Sequence, residues 1–278
     1  MLIRQLTQAD KPQLHATLNA AFADYITPFQ LNEAQFESKL HAESVSLPHS
    51  VGVFIGDKLV AFIMHALRTV EGQQRIYNSG TGVLPAYRGQ ALVGKMYAYS
   101  LPILQEQGIV AMQLEVIENN HAAIRAYEKN GFQIQRKLLC FSGSLPAEKH
   151  SGIASIRELT TYPWPTLQSF WEVSPSWQST AQSMELIQPA ALGAYVADQL
   201  VGYVLYSSHN KRIYQLAVAA AYRRKGIATQ LLATLGSEFS GAVVALNNID
   251  EAALDLKHFL EKNGMTNRIN QFEMHKSL

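Results

Sequence analysis

The second half of this 278-residue chain repeats the first half in the same order. The matching segments are residues 3–7 with 156–160, 56–63 with 197–204, 86–88 with 221–223, and 128–131 with 261–264. Collinear matches of this kind predict two homologous domains, each within the usual range of about 100–150 residues. Residues 144–152 are rich in turn-forming residues, so we predict a linker there between domains at 1–143 and 153–278.

The composition indicates globular domains, because 47% of residues are hydrophobic and 16% are charged. A formal net charge of +1 gives no general attraction to nucleic acid or to an anionic membrane. The single cysteine excludes an intrachain disulfide, and no paired-histidine spacing indicates a metal site. Without a signal peptide or an apolar run of about 18 residues, we expect a cytoplasmic protein.

Hydrophobic periodicity predicts the local elements of the first half. Thr7 followed by Asp10 is typical of a helix start, and residues 51–64 alternate as a hairpin. A longer helix is predicted from about residue 90 to Gly108, and Pro102 is expected to kink it or end it early.

A strand, a short loop containing arginine and glycine, and a helix start follow one another at residues 82–93 and again at 218–228. Unpaired N–H groups at a helix N-terminus, together with the positive end of the helix dipole, attract anions. The sequence therefore predicts an anion site in each half.

These loops resemble the pyrophosphate loop of the GNAT acetyltransferases, Gln/Arg-x-x-Gly-x-Gly/Ala. Residues 223–228 fit it fully, whereas residues 88–93 depart from it at Ala91 and Val93. The resemblance covers most of both halves, and it implies an α/β (α+β) fold: two tandem domains, each a mixed, mostly antiparallel sheet flanked by helices. It also implies acetyl-CoA as the acyl donor. The coenzyme-binding residues implied in the first domain are Gly82, Val83, Arg88, Gly89, Gln90, Ala91, Leu92, Val93 and Asn120.

Residues 115–132 are similar to the family's pattern of an asparagine, a short helix and Tyr-Glu-Lys-x-Gly-Phe. The resemblance implies that Asn120 meets the pantetheine arm and that Tyr127 protonates the departing thiolate. The alternative for Tyr127 is an aromatic residue at the edge of the core with a solvated hydroxyl.

A general base is needed to deprotonate an ammonium acceptor, and Glu115 is the best candidate. The alternation of its strand directs it away from Leu114 and Val116. It could equally be a solvated carboxylate or an ion-pair partner, and Glu118 is a weaker candidate. By the resemblance, backbone N–H groups of Gly82 and Val83 would face the thioester carbonyl, and a plain strand near a turn is the alternative.

The repeat places Leu260 opposite Tyr127, and leucine cannot donate a proton. We therefore predict that the N-terminal domain is catalytic and that the C-terminal domain is degenerate or supporting, with idle coenzyme binding left open.

These features predict direct transfer of acetyl from acetyl-CoA to an amine. Two alternatives stay open, a non-catalytic acyl-CoA-binding sensor or scaffold and a transferase of a different acyl group. The acceptor is open among a small cationic amine, a peptide N-terminus, a lysine and an aminosugar. No feature indicates an oligomeric state.

Overall fold

The computed structural model describes residues 1–146, 152–239 and 241–278. It divides into two compact units, unit 1 with Met1–Gln135 and Phe272–Leu278, and unit 2 with Arg136–Gln271. Of the predicted linker at 144–152, residues 147–151 lie outside the described residues. Among the helices described, none has the length and apolar character needed to cross a bilayer.

Unit 1 consists of a sheet with helices on both faces. Its strands are β1 (Leu2–Gln5), β2 (Val51–Ile55), β3 (Lys58–Val70), β4 (Gln73–Val83) and β5 (Ile109–Ile117). Its helices are α1 (Lys11–Phe22), α2 (Glu33–Glu43), α3 (Leu92–Glu106) and α4 (His121–Lys129). Buried residues of α1 and α2 form one apolar layer and those of α3 and α4 form another.

Unit 2 repeats this order of elements. Its strands are most of β6 (Gln133–Ser144), β7 (Ser155–Glu158), β8 (Ala190–Val196), β9 (Gln199–Ser207), β10 (Arg212–Val218), β11 (Val243–Asp250) and the first part of β12 (Thr266–Ser277). Its helices are α5 (Trp164–Gln168), α6 (Ala181–Ile187), α7 (Ile227–Phe239) and α8 (Leu254–Lys262).

Strand pairing confirms the predicted fold class. In unit 1 the strands from β1 to β4 pair antiparallel, and β4 pairs parallel with β5. In unit 2 the strands from β7 to β10 pair antiparallel, β10 pairs parallel with β11, and β11 pairs antiparallel with β6. Each unit is thus a mixed, mostly antiparallel sheet flanked by helices.

The helix boundaries have local causes. The Thr7 and Asp10 side chains cap the turn that leads into α1, and Gly108 follows the end of α3 with a φ of 79°. The expectation that Pro102 ends this helix early is wrong, because α3 continues to Glu106. Proline removes one backbone hydrogen bond, and burial of the apolar side of α3 outweighs that loss.

The sheet of unit 1 opens where β4 leaves β5. Register in β4 shifts between the pairs Met64–Gly80 and His65–Asn78, so Ser79 is an extra residue there. The last registered pair between β4 and β5 is Asn78 with Leu114. Beyond it the two strands separate, and the unpaired end of β4 borders the cavity described below.

The compact units do not follow the repeat at its ends. Residues 136–143, which the repeat assigns to the first half, pack in unit 2, where Phe141 pairs with Leu246. Phe272–Leu278, the end of the second half, pack in unit 1, where the N–H of Leu278 donates to the C=O of Val110 at 3.0 Å. The two units have therefore exchanged parts of their last strands.

Candidate functional site

Unit 1 contains a cavity of about 790 Å³ between the β4–α3 loop, α4 and the segment that follows α1. The residues predicted to bind coenzyme all line it, namely Gly82, Val83, Arg88, Gly89, Gln90, Ala91, Leu92, Val93 and Asn120. Tyr127 lines it as well. Glu115 is not among the lining residues. One concave surface therefore joins the predicted anion loop to the predicted acid, and the predicted base lies elsewhere.

The loop itself has the same backbone in both units although its residues differ. In unit 1, Gly89 and Ala91 have φ values of 78° and 55°. In unit 2, the matching Arg224 and Gly226 have φ values of 60° and 80°. Ala91 thus adopts the left-handed conformation that usually favours glycine. The departure from the motif at Ala91 adds strain and leaves the course of the loop unchanged.

The start of α3 places unpaired backbone N–H groups at the end of this loop. The first N–H groups of a helix have no partner within it, and the helix begins at Leu92, directly after the left-handed residue. Arg125 and Lys129, on the side of α4 that lines the cavity, are exposed and form no ion pair with any described residue. Unpaired cations beside a helix N-terminus suit a phosphorylated ligand. The sequence reasoning missed these two residues, whose spacing of four along α4 was the available signal.

Arg88 has a structural task as well as a place in the cavity wall. Its guanidinium forms two hydrogen bonds with Asp24, at 2.6 and 2.7 Å, and donates to the carbonyls of Ala21 at 3.0 Å and Val83 at 3.3 Å. In unit 2, Arg223 donates in the same way to Val218 at 3.1 Å and Phe170 at 3.2 Å.

This arginine therefore ties the loop to the end of a strand and to the end of a helix in both units. Most of the N–H groups of Arg88 are hydrogen-bonded within the protein, so it holds the loop in position beside the cavity. The Asp24 partner keeps the pKa of Arg88 above its ordinary value.

Tyr127 is a buried donor at the inner end of the cavity. It is 8% exposed, and burial raises the pKa of Tyr127 to about 12, so its hydroxyl stays protonated at neutral pH. The Thr81 and Asn78 side chains partly oppose this rise in the pKa of Tyr127. The Asn78 amide donates to Thr81 at 2.8 Å and to the Tyr97 hydroxyl at 2.9 Å. Sequence reasoning missed Asn78, Thr81 and Tyr97, which meet because of the extra residue in β4.

Backbone donors near Tyr127 follow from the pairing of β3 with β4. The Leu84 N–H donates to the Val60 C=O at 2.9 Å, and hydrogen-bonded pairs alternate along an antiparallel ladder. The Gly82 N–H is therefore directed to β3, whereas those of Thr81 and Val83 point toward the opening. Of the two predicted donors, only Val83 faces the gap. Gly82 is needed for another reason, since a Cβ there would lie 2.5 Å from the Phe62 ring.

Asn120 caps α4 and closes one side of the cavity. Its side chain accepts from the Ala123 N–H at 3.2 Å and donates to the Tyr25 hydroxyl at 3.2 Å. Tyr25 also lines the cavity, and burial raises its pKa. The segment after α1 is thereby joined to the start of α4.

Glu115 lies on the other face of the sheet from Tyr127. Leu114 and Val116 pack in the same apolar cluster as Tyr127, so alternation along β5 directs Glu115 to the α2 side. The Tyr77 hydroxyl donates to its carboxylate at 3.2 Å. Glu115 directly follows the last registered pair of β4 and β5. Acid and base candidates thus lie on opposite faces where the strands separate.

That face also carries a polar group of side chains that sequence reasoning did not identify. The Ser79 hydroxyl donates to the Glu43 carboxylate, which is also paired with Lys39 at 2.7 Å. Arg68 is 4% exposed, and burial lowers the pKa of Arg68 to about 10 even though Glu43 opposes the shift. In the described parts of the chain, no group of three or more His, Cys, Asp or Glu side chains could hold a metal ion.

Two family models match the chain, one in each repeat. The Acetyltransferase (GNAT) family matches residues 12–132, and the Acetyltransferase (GNAT) domain matches residues 158–275. Among curated proteins, none matches the sequence.

Several solved structures are similar over the whole chain. A GCN5-related N-acetyltransferase from Sphaerobacter thermophilus is 20% identical with a TM-score of 0.73, covering 99% of this chain and 95% of its own. A tandem GNAT protein from the clavulanic acid biosynthesis pathway is 15% identical with a TM-score of 0.73, and the match covers 99% of this chain and 98% of that protein. A putative acetyltransferase from Pyrococcus horikoshii is 14% identical with a TM-score of 0.69, and the match covers 100% of this chain and 89% of that protein. At these identities the likeness shows the shared fold.

Proposed function

This chain belongs to the GNAT family of acetyltransferases as a tandem two-domain member, and we propose that its unit 1 transfers acetyl from acetyl-CoA directly to an amine. Acyl transfer is the activity of the family. The observation that carries the assignment to unit 1 is the single cavity lined by the loop, Asn120 and Tyr127. A cavity of about 790 Å³ is within the size range of sites for small molecules and cofactors.

The loop and the start of α3 would hold the pyrophosphate, and Arg125 and Lys129 would supply further positive charge. Three features suit these residues to a pyrophosphate group: the unpaired N–H groups of the helix, the left-handed turn and the unpaired cations of α4. Bound acetyl-CoA supplies the acetyl group as a thioester and leaves as a thiolate.

Tyr127 would act on the donor side of the sheet. Because its pKa of about 12 keeps the hydroxyl protonated, it is a permanent hydrogen-bond donor for the negative charge that develops on sulfur. The N–H groups of Thr81 and Val83 are directed to the gap where the carbonyl oxygen would become negative.

Glu115 would act on the acceptor side. The attacking amine must lose its proton, and a carboxylate on the opposite face can take it directly or through one water. The segment of residues 24–29 is proposed to line this approach. We keep the acceptor as an amine of unspecified class.

The test is the effect of Tyr127→Phe on turnover, measured as CoA release over a panel of amines. We expect kcat to fall roughly 100-fold while the KM for acetyl-CoA changes little, because the hydroxyl is used in the transition state more than in binding. Tyr97→Phe is the matched control, since Tyr97 is also buried and hydrogen-bonded to Asn78 but does not line the cavity. Equal turnover in Tyr127→Phe and the wild type would remove Tyr127 from this role.

A further inference from the structure

Unit 2 has its own cavity, of about 800 Å³, at the place that corresponds to the cavity of unit 1. Its loop at residues 223–228 fits the full phosphate-binding motif, and α7, which begins at Ile227, follows directly. The helix on the other side differs, because Ala253 and Leu260 stand where unit 1 has Asn120 and Tyr127. Leu260 is completely buried and is not among the lining residues. Unit 2 has therefore kept the anion end and lost the acid.

The cavity of unit 2 is lined by two polar side chains at positions where unit 1 has Phe62 and Gly80. Tyr203 pairs with Ala217 in the way that Phe62 pairs with Gly82, and Gln215 takes the position of Gly80. Both Tyr203 and Gln215 are buried and line the cavity. A buried phenol and a buried amide each cost free energy unless their polar atoms are hydrogen-bonded.

A chain of hydrogen bonds satisfies most of these atoms. The Trp171 indole N–H donates to the Tyr203 hydroxyl at 2.6 Å, and that hydroxyl donates to the Gln215 Oε1 at 2.7 Å. The Gln215 Nε2 donates to the backbone carbonyl of Ser179 at 2.6 Å. Each side chain is thus fixed in one orientation. The second Nε2 hydrogen of Gln215 is not used in these hydrogen bonds.

This series of hydrogen bonds ends at the backbone carbonyl of Ser179, whose own hydroxyl has no hydrogen-bond partner among the described residues. Ser179 is 5% exposed and lines the cavity. Leaving a buried hydroxyl unpaired costs about 1–3 kcal/mol. A ligand oxygen that reached the Ser179 Oγ would satisfy this hydroxyl, and the Gln215 amide could donate its remaining hydrogen to a ligand oxygen as well.

We propose that unit 2 binds a CoA thioester whose acyl group carries a neutral oxygen, such as a hydroxyl or a ketone. The loop takes the phosphate end, and Ser179 and Gln215 take the acyl oxygen. This site is separate from the site proposed in unit 1.

The test compares two ligands of equal chain length, 3-hydroxybutyryl-CoA and butyryl-CoA, with the full chain. All three tryptophans belong to unit 2, and Trp171 lines the cavity, so tryptophan fluorescence reports occupancy of this unit. We expect the hydroxylated ligand to bind about tenfold more tightly, the usual scale of one well-placed hydrogen bond. Ser179→Ala is expected to bring the two affinities close together, because the methyl group in that variant cannot hydrogen-bond the ligand hydroxyl.

Ser176→Ala is the matched control. The Ser176 hydroxyl is equally buried and unpartnered among the described residues, but it does not line the cavity, so the preference is expected to persist. Equal affinity for the two ligands in the wild type, no saturable fluorescence change, or an unchanged preference in Ser179→Ala would each overturn the proposal. None of these results bears on turnover in unit 1, which Tyr127→Phe tests.

Discussion

At the scale of single residues, burial shifts the pKa values of two side chains in unit 1, Tyr127 and His65, in opposite directions. Burial raises the pKa of Tyr127 to about 12 and lowers the pKa of His65 to about 4. Both are therefore neutral at neutral pH. Tyr127 uses that neutrality as a hydrogen-bond donor, whereas His65 is a structural residue whose Nδ1 is bonded to the His49 carbonyl at 2.7 Å.

Because buried His65 is neutral, we predict that the protein loses stability as the pH is lowered. Its folded pKa of about 4 lies below the ordinary value of 6.5, so the unfolded chain binds its proton more readily. The contribution to stability is complete above pH 6.5 and decreases as the pH falls toward 4, by roughly 3 kcal/mol in all. Denaturant unfolding between pH 7 and pH 4 measures it.

The control for this prediction is His65→Gln, which removes the titrating ring. Its unfolding free energy is expected to vary much less over the same range, with a smaller slope left from His49, whose pKa is also lowered by burial. The Asp10 carboxylate affects stability in a different pH range. Arg4 lowers the pKa of Asp10 to about 2, so the stability that Asp10 contributes is lost only below about pH 4. An unchanged slope in His65→Gln would show that another group controls this range.

At the scale of elements, the loop before α3 depends on left-handed backbone. Gly89 has a φ of 78°, and a Cβ there would meet nothing within 4 Å. Gly89→Ala is therefore expected to destabilise unit 1 through backbone strain alone, by about 1 kcal/mol. Gly94 lies inside α3, and its Cβ would make ordinary contact with Asn130 at 3.9 Å.

Gly94→Ala is thus the matched substitution with the opposite effect. It is expected to raise the free energy of unfolding by roughly 0.5–1 kcal/mol, because alanine is the better helix former. Hydrogen exchange of the amides in α3 measures both. Destabilisation by Gly94→Ala together with a neutral effect of Gly89→Ala would contradict this account of the loop.

Residues 88–93 and Tyr127 were identified from local patterns, a motif of six residues and a short helix, and they line one cavity. Their roles stay predictions. The sequence was insufficient for Asn78, Thr81 and Tyr97. Their contacts depend on the register shift at Ser79, and a bulge changes which face a side chain takes without leaving a clear pattern. The donor assignment of Gly82 and the position of Glu115 depend on the same pairing between strands, and the roles of both stay predictions.

At the scale of the whole molecule, the exchange of the last strands was not predictable from the repeat. The segments 133–144 and 266–277 occupy equivalent positions, and local periodicity does not say which sheet each one joins. The structure shows the consequence at Met274, which is completely buried in the apolar cluster of unit 1 that contains Tyr97 and Tyr127.

Met274→Ala is therefore expected to destabilise unit 1, although the residue belongs to the second repeat. Removing a buried methionine side chain costs about 2–5 kcal/mol. Hydrogen exchange in β4 and β5 should increase while the tryptophan fluorescence transition, which reports unit 2, changes little. Met184→Ala is the control, because Met184 is equally buried in the core of unit 2 and should give the reverse pattern. A loss confined to unit 2 in both variants would contradict the exchange.

The central claim, that acetyl transfer takes place in unit 1, is tested most directly by reversing one charge in each cavity. Lys129 and Lys262 hold the same position in the two repeats, are both exposed, line their own cavities and form no ion pair with any described residue. We predict that Lys129→Glu raises the KM for acetyl-CoA in the amine assay by roughly tenfold, because a carboxylate would repel the phosphates, and that Lys262→Glu leaves it unchanged. An increase with Lys262→Glu and none with Lys129→Glu would contradict the account and place the reaction in unit 2.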